Sequence, residues 1–229
     1  MKNLIENAIL VHKLKHGLST IKWSLKMLVS GDFGEVNEEE KKIIKKSLEE
    51  NERLILLADS LLDENGPERG KKFLDKKLCG LEQIIESAIE LHSIKIKEKK
   101  IKLDFIRPKE KIEAFLDKEK ISIAIQNILD NAVKYTGQGG KITIYLEKSG
   151  NNLQLKIQDS GIGILEKEKK NMFAKFFRGA NVPKANGGDG SGLGLFIAKN
   201  IIEAHEGKIW FESKENVGST FYISLPLKI

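Results

Sequence analysis

Apolar residues recur at heptad spacing in the first part of the chain and predict a long helix over residues 3–30. Its apolar seam contains Leu4, Val11, Leu14, Leu18, Ile21, Leu25 and Leu28. After a turn at 30–34, a second helix begins at Asn37, with Glu40 in capping-box register, and runs to about Leu62. Because two antiparallel helices cannot bury both seams by themselves, we expect this hairpin to form a four-helix bundle in a homodimer.

The rest of the chain alternates between helical and strand patterns after a linker rich in helix breakers at residues 63–70. Helices are predicted at 81–99, 118–135 and 191–205. Strands are predicted from about 71, near 101–106 and 112–116, and at 140–147, 152–159, 207–213 and 218–225. The predicted fold class is therefore α+β, with an antiparallel helical hairpin in residues 1–66 and an α/β layered sandwich in residues 67–229. We expect one mixed sheet with helices on one face.

Composition narrows the class of protein. The chain has 229 residues, of which 40% are hydrophobic, and this is enough for one or two compact domains. Its net charge of +6 is spread over helices in which Lys and Glu are interleaved, a pattern of solvated faces that disfavours a nucleic-acid partner. No apolar run approaches the ~18–20 residues of a membrane span. The single Cys79 excludes an internal disulfide, as expected for a cytoplasmic segment, although a longer protein containing it could be membrane-anchored.

The helix at 118–135 carries a polar face in addition to its apolar one. Asn127, Asn131 and Lys134 recur at i, i+4 and i+7, so that two carboxamides and an ammonium project from one side. Carboxamide oxygens can ligate a hard cation, and a neighbouring Lys can neutralise phosphate. In isolation, the same residues would be read as two solvated Asn and a surface Lys.

Two glycine-rich stretches follow. Asp159 to Ile164 comes directly after a strand, so that its paired glycines allow a ligand to approach the backbone beside one carboxylate. Residues 187–194 open a helix, where free N–H groups and the positive dipole end suit phosphate. Neither stretch contains the dinucleotide fingerprint G-x-G-x-x-G, and the second follows a loop instead of a strand.

Together these residues resemble the catalytic ATP-binding domain of sensor histidine kinases, within the wider family of ATPases related to gyrase, heat-shock-90 chaperones and mismatch-repair ATPases. Residues 126–136 resemble the N box, 159–164 the G1 box, 173–178 the F box, 190–194 the G2 box and 218–220 the G3 turn. The F box is similar to that of histidine kinases and is not expected in the other ATPases. Five motifs in the same order form a far more specific pattern than one.

The resemblance implies a site for ATP and Mg²⁺. Asp159 would accept a hydrogen bond from the 6-amino group of adenine, Asn131 would be the protein ligand of Mg²⁺, and Lys134 would contact the phosphates. The other residues implied to bind the nucleotide are Asn127, Tyr135, Gly161, Gly163, Ile164, Phe177, Arg178, Gly190, Ser191, Gly192, Leu193, Gly194 and Thr220. The segment 173–190 is poor in apolar residues, and we expect it to be mobile without nucleotide and to close over the phosphates.

Residues 11–23 resemble the H box, the phospho-acceptor segment of the same kinases. The resemblance implies that His12 is phosphorylated and that the receiver domain of a response regulator accepts the phosphoryl group on an aspartate. The heptad places His12 just off the apolar seam, as an acceptor requires. With only eleven residues before His12, no sensor domain is expected in this chain.

The H box departs from the family pattern at three positions. Lys13 stands where an acidic residue or an amide is usual, His16 where Thr or Asn is typical, and Gly17 where Pro is usual. A neighbouring Lys opposes the positive charge that develops on an attacking imidazole. A degenerate kinase, which binds ATP and a partner without efficient transfer, is therefore the alternative. An ATPase clamp of the chaperone or gyrase type is disfavoured by the H and F boxes.

Overall fold

The computed structural model describes residues 2–62, 74–180 and 191–227, and the chain divides into two compact units, Met1–Gly66 and Pro67–Ile229. The helices are α1 Lys2–Ser30, α2 Glu38–Leu62, α3 Leu81–Leu91, α4 Ser93–Glu98, α5 Lys118–Tyr135 and α6 Gly194–Ala204. The strands are β1 Lys77–Gly80, β2 Lys102–Ile106, β3 Glu113–Leu116, β4 Lys141–Ser149, β5 Asn152–Asp159, β6 Lys208–Lys214 and β7 Gly218–Pro226.

The N-terminal unit is a hairpin of α1 and α2, which pack against one another. The predicted capping box at the start of α2 is confirmed. The Glu40 N–H donates to Asn37 Oδ1 at 2.9 Å, and the Asn37 N–H donates to Glu40 Oε2 at 3.0 Å. Lys22 Nζ and Glu52 Oε2 form a 2.6 Å ion pair between the two helices. These contacts set where α2 begins and tie it to α1.

The apolar seam of α1 is only partly covered by α2. Val11 is buried, whereas Leu14, Ile21 and Leu28 on the other side of the seam are 52%, 50% and 37% exposed. Burying a Leu or Ile side chain contributes roughly 1.5–3 kcal/mol, so this exposed row is an unusually costly surface for a single hairpin.

The C-terminal unit contains a five-stranded mixed sheet in the order β2-β4-β5-β7-β6. β2 and β4 are parallel and the other neighbours are antiparallel. Helices α5 and α6 pack together and contact β5 and β6, while α3 packs on α5. The expected α+β class and mixed sheet are therefore confirmed.

Three details differ from the sequence prediction. β1 and β3 pair with each other in a separate two-stranded sheet, and β3 leads directly into α5 through the N-cap Asp117. The helix predicted over 81–99 is interrupted at His92, whose ring bonds the Ala88 carbonyl oxygen of its own helix at 2.8 Å. A 3₁₀ helix at Glu166–Asn171 precedes the segment 173–190 that is expected to be mobile, and residues 181–190 lie outside the described part of the chain.

The buried His205 joins the end of α6 to the start of α5. Its Nδ1–H donates to the Ile201 carbonyl oxygen at 2.8 Å, and its Nε2 accepts the Asp117 N–H at 3.0 Å. The bond at Nε2 requires the neutral ring, because both ring nitrogens of a protonated imidazole are donors. Burial lowers the pKa of His205 below its ordinary value of 6.5, while Lys76, Asp117 and Lys120 add smaller and partly opposing contributions.

Replacing His205 by Ala should therefore lower the free energy of unfolding by about 1–3 kcal/mol at pH 7.5, because the Asp117 N–H loses its acceptor. Below about pH 6.5 the unfolded chain binds more protons at this position, so the wild type should lose this contribution as the pH falls. Thermal unfolding followed by Trp210 fluorescence, in a Trp23→Phe background, measures both effects. The exposed His16, replaced by Ala, is the control and should leave the transition of this unit unchanged.

Candidate functional site

Helix α5 turns its polar face toward the start of α6. Asn127 is only 9% exposed, and its Nδ2 is buried with no hydrogen-bond partner among the described residues. Asn131 and Lys134 are half-buried, and the Lys134 ammonium lies 5.5 Å from the centre of the Tyr135 ring. A buried amide without a partner costs about 1–3 kcal/mol, which is the kind of cost that a bound ligand would offset.

Asp159 ends β5 with its carboxylate buried beside the glycine turn. The Gly161 N–H donates to Asp159 Oδ1 at 2.8 Å and the Ser219 N–H donates to the same oxygen at 3.3 Å. Among the described residues both of these bonds use Oδ1, which leaves Oδ2 for a ligand. Burial raises the pKa of Asp159 to about 6, and the two backbone donors oppose that shift. The carboxylate is thus a buried acceptor that is mostly ionised at neutral pH.

The glycines after Asp159 are needed because backbone lies against them. A Cβ at Gly161 would lie 2.6 Å from the Tyr135 carbonyl oxygen, and one at Gly163, where φ is +66°, would overlap the Lys214 carbonyl oxygen. The Asn216 N–H also donates to the Ile162 carbonyl oxygen at 2.8 Å. The turn is therefore clamped between the end of α5 and the β6–β7 hairpin.

The F-box segment, residues 173–178, lies against Gly192, two residues before α6 begins. With φ at +70°, a Cβ there would lie 2.6 Å from the Phe176 carbonyl carbon and 2.8 Å from the Phe177 carbonyl oxygen. A Cβ at Gly194 would lie 3.1 Å from Asn127 Oδ1. Ser191 is exposed, Leu193 is buried, and Gly190 lies outside the described residues.

Tyr135, at the C-terminal end of α5, lies close enough to Arg178 for the two to interact electrostatically. Burial raises the pKa of the Tyr135 phenol, and the positive charge of Arg178 partly opposes the shift. Ile164, at the far end of the glycine turn, is buried, and its N–H donates to Ser213 Oγ at 2.9 Å. The structure therefore brings the N-box, G1, F-box and G2 residues together within the C-terminal unit.

Thr220 lies on β7, next to the strand that ends in Asp159. Its neighbour Ser219 pairs with Asp159 across the β5–β7 ladder, whereas Thr220 pairs with Gln158. Because successive side chains of a strand point to opposite faces, Thr220 lies on the face away from Asp159. The structure thus places Ser219 beside the carboxylate, and the binding role of Thr220 stays a prediction.

Sequence reasoning also missed Ser213. Its hydroxyl donates to the Gly218 carbonyl oxygen at 2.9 Å, accepts the Ile164 N–H, and lies 2.9 Å from Ser219 Oγ. It thus links the glycine turn to the hairpin that supports Asp159. No local pattern around Ser213 signals this role, whereas strand alternation opposite Asp159 could have identified Ser219.

His12 lies on α1 in the N-terminal unit, and its side chain is outside the described part of the structure. His16, one turn later, is exposed, as is Lys13.

The site in the C-terminal unit has the features that a purine nucleotide with phosphates requires. A buried carboxylate oxygen can accept from an exocyclic amino group, and close backbone approaches at Gly161, Gly163 and Gly192 shape a cradle without side chains. Within residues 2–62, 74–180 and 191–227 no cluster of three or more His, Cys, Asp or Glu side chains could hold a metal ion. Amide oxygens of α5 suit a cation such as Mg²⁺, which takes most of its remaining ligands from water molecules and phosphate oxygens.

Comparison with known proteins identifies relatives of both units. Residues 116–229 match the family of histidine kinase-, DNA gyrase B- and HSP90-like ATPases. The adaptive-response sensory kinase SasA of Synechocystis is 33% identical over 174 residues, which are 76% of this chain and 43% of that protein. The sensor protein kinase WalK of Staphylococcus saprophyticus is 28% identical over 222 residues, 95% of this chain and 35% of that protein. The chain thus spans less than half the length of either relative.

Solved structures give the same result. The catalytic domain of histidine kinase ThkA is similar with a TM-score of 0.57 and 30% identity, covering 67% of this chain and 99% of that one. ThkA in complex with response regulator protein TrrA has a TM-score of 0.61 at 23% identity, covers 99% of this chain and 65% of that one, and is similar in fold. None of the helices in the described ranges combines the length and apolar character that a bilayer crossing requires.

Proposed function

The chain belongs to the sensor histidine kinases, and from this premise we propose that it binds Mg-ATP and transfers the γ-phosphoryl group to His12. A response regulator then receives that group on an aspartate of its receiver domain. The observation that carries the proposal is the convergence of the Asp159 carboxylate, the polar face of α5 and three tightly packed glycines on one site. Such a site recognises a base through one acceptor and leaves the backbone open to phosphates.

Different residues are proposed to bind the base and the phosphates of the nucleotide. Asp159 Oδ2 accepts the adenine amino group, which discriminates against guanine because its carbonyl oxygen would face the carboxylate. Lys134 and the amides of Asn127 and Asn131 serve the phosphate end, with Asn131 as the protein ligand of Mg²⁺. When bound, Mg²⁺ neutralises charge on the phosphate oxygens. Arg178 is exposed and adds a positive charge near the Tyr135 end of α5.

In the transfer step a neutral imidazole nitrogen of His12 attacks the γ-phosphorus as the bond to the ADP oxygen breaks. The protein mainly positions the reactants and stabilises charge in such a reaction. Because Lys13 follows the acceptor and residues 8–30 contain no carboxylate, no acidic neighbour on α1 stabilises the imidazolium that forms. A positioned acid–base partner contributes roughly 10²–10⁴-fold, so we expect slow transfer and weak phosphatase activity toward the regulator.

The dimer is part of the proposal. Leu14, Ile21 and Leu28 form an exposed row along α1, and a second hairpin placed against this row would complete a four-helix core. The regulator partner is proposed from family membership, with ThkA as a relative whose complex with a regulator has been solved.

Incubation with γ-labelled ATP tests the proposal. Wild type should acquire acid-labile, base-stable label, His12→Gln should lose it, and His16→Gln should keep it. A Lys13→Glu variant should label faster than wild type because the acidic side chain stabilises the developing imidazolium. If ATP binds but neither wild type nor Lys13→Glu becomes labelled, the chain is a degenerate kinase. Label that depends on His16 would move the acceptor by one turn.

A further inference from the structure

Lys99 lies just after α4, outside every motif of the nucleotide site, yet its ammonium contacts the end of α5. Nζ donates to the carbonyl oxygens of Val133 at 2.8 Å, Lys134 at 2.7 Å and Thr136 at 2.9 Å. An ammonium has three hydrogens, and all three have a backbone acceptor here. The side chain comes from more than thirty residues earlier in the chain, since the separations are 34 to 37.

The contacts satisfy groups that a helix leaves open. The last carbonyls of an α-helix have no intrahelical donor and carry the negative end of its dipole. An ammonium placed there therefore supplies hydrogen-bond donors and is also attracted by the dipole. The Lys99 main chain contributes as well, because its carbonyl oxygen accepts the Gly139 N–H at 2.8 Å. Lys99 therefore holds both the last turn of α5 and the loop that follows it.

That last turn carries two residues of the proposed site. Lys134 supplies both a side chain for the phosphates and a carbonyl oxygen to Lys99. The Tyr135 carbonyl oxygen, one residue on, accepts the Ile162 N–H at 3.3 Å and lies against Gly161. Fraying of this turn would move the Lys134 ammonium, whereas the glycine turn is also held by its bonds to Asn216 and Ser213 of the β6–β7 hairpin.

We propose that Lys99 is a positioning residue for nucleotide phosphates, which it serves by locking the C-terminal turn of α5 so that Lys134 stays directed into the site. This inference rests on the proposed function. It assigns Lys99 no contact with the nucleotide. A substitution of Lys99 should therefore weaken the binding of ligands that carry phosphates and leave recognition of the base at Asp159 largely intact.

Calorimetric titration of wild type and Lys99→Met with ATP, ADP and adenosine tests the idea. We expect Lys99→Met to weaken ATP and ADP binding about tenfold or more, because three carbonyls lose a charged donor. Adenosine affinity should change by less than about twofold, because adenosine has no phosphates and is recognised through its base at Asp159. In a Lys134→Met background, Lys99→Met should add little, since the residue that it positions is already gone.

Lys97→Met is the matched control, because Lys97 is an exposed lysine on α4, two residues before Lys99. This variant should bind all three ligands as wild type does. Should Lys99→Met fail to fold, Lys99→Gln, which keeps amide donors without charge, replaces it and should show an intermediate loss for ATP. An unchanged ratio of ATP to adenosine affinity in a folded Lys99 variant would overturn the inference. Equal losses for all three ligands would also overturn it, since they indicate a general structural role. Failure of wild type to bind any of the ligands would instead refute the proposed function.

Discussion

Replacing Asp159 by Asn should abolish measurable ATP binding and, at the same time, stabilise the nucleotide-free protein near pH 7. The Asn carbonyl oxygen can still accept the Gly161 and Ser219 N–H groups that now reach Oδ1. Its NH₂ group, however, would replace the free carboxylate oxygen and face the adenine amino group, so two donors would oppose each other. Sites built around a hydrogen bond of this kind reject the mismatched partner strongly.

The gain in stability follows from the pKa of Asp159, which burial raises from its ordinary value of 3.8 to about 6 in the folded protein. Between these values the folded state binds more protons than the unfolded chain, so wild-type stability falls as the pH rises through this window. Above about pH 6 the buried carboxylate costs on the order of 3 kcal/mol, which the neutral amide avoids. ATP affinity should run the other way and increase as the carboxylate ionises.

Denaturation at pH 4.5 and 7.5, together with ATP titration at both, measures these effects. The two proteins should differ more in stability at pH 7.5 than at pH 4.5. Asp104→Asn, at a half-exposed carboxylate on β2, provides the control and should leave ATP affinity unchanged. ATP binding by Asp159→Asn with wild-type affinity would refute the adenine assignment.

Replacing Gly163 by Ala should be among the most damaging single-methyl additions to the C-terminal unit. The methyl group would occupy the position of the Lys214 carbonyl oxygen, and φ of +66° is strained for any residue with a side chain. Relief requires the glycine turn to leave the β6–β7 hairpin, which breaks the bonds of Ile162 to Asn216 and of Ile164 to Ser213. We expect a loss of about 3–5 kcal/mol in stability and no detectable nucleotide binding.

Gly150→Ala separates the strain of a left-handed backbone from steric overlap with a neighbouring strand. Gly150 has a similar φ of +58°, but a Cβ there would meet nothing within 4 Å. This variant should therefore lose only the roughly 1–2 kcal/mol of left-handed strain and should bind ATP normally. Equal losses in the two variants would show that packing against the hairpin contributes nothing.

Regular elements could be predicted from the sequence where pattern and end signals agreed. Helix α5 and strand β5 have the predicted bounds, and the capping box at Asn37 forms as expected, because each depends on residues within a few positions. The interruption at His92 was not predictable from periodicity. It depends on a side chain bonding the backbone of its own helix.

Positions within the site were predictable to the extent that each residue acts locally. Asp159 and Gly163 lie in one short turn whose chemistry is visible in the sequence. Ser213 and Lys99 act through bonds that span 49 and up to 37 residues, and only the folded sheet and helix packing bring those atoms together. Ser219, and not the predicted Thr220, pairs with Asp159, and a step of one residue along a strand moves a side chain to the other face of the sheet.

The hydrogen bond from the Ser219 N–H to Asp159 joins residues 60 positions apart in the chain, so during synthesis it can form only after β7 has been made. A ribosome releases β5 well before β7, so a nascent chain holds the carboxylate without its second backbone donor and without the hairpin that supports the glycine turn. ATP can stabilise only a form to which it binds, and that form does not exist until β7 has joined the sheet. Nucleotide should therefore stabilise the domain only after β7 has joined the sheet, and should not stabilise nascent chains or folding intermediates that lack this strand.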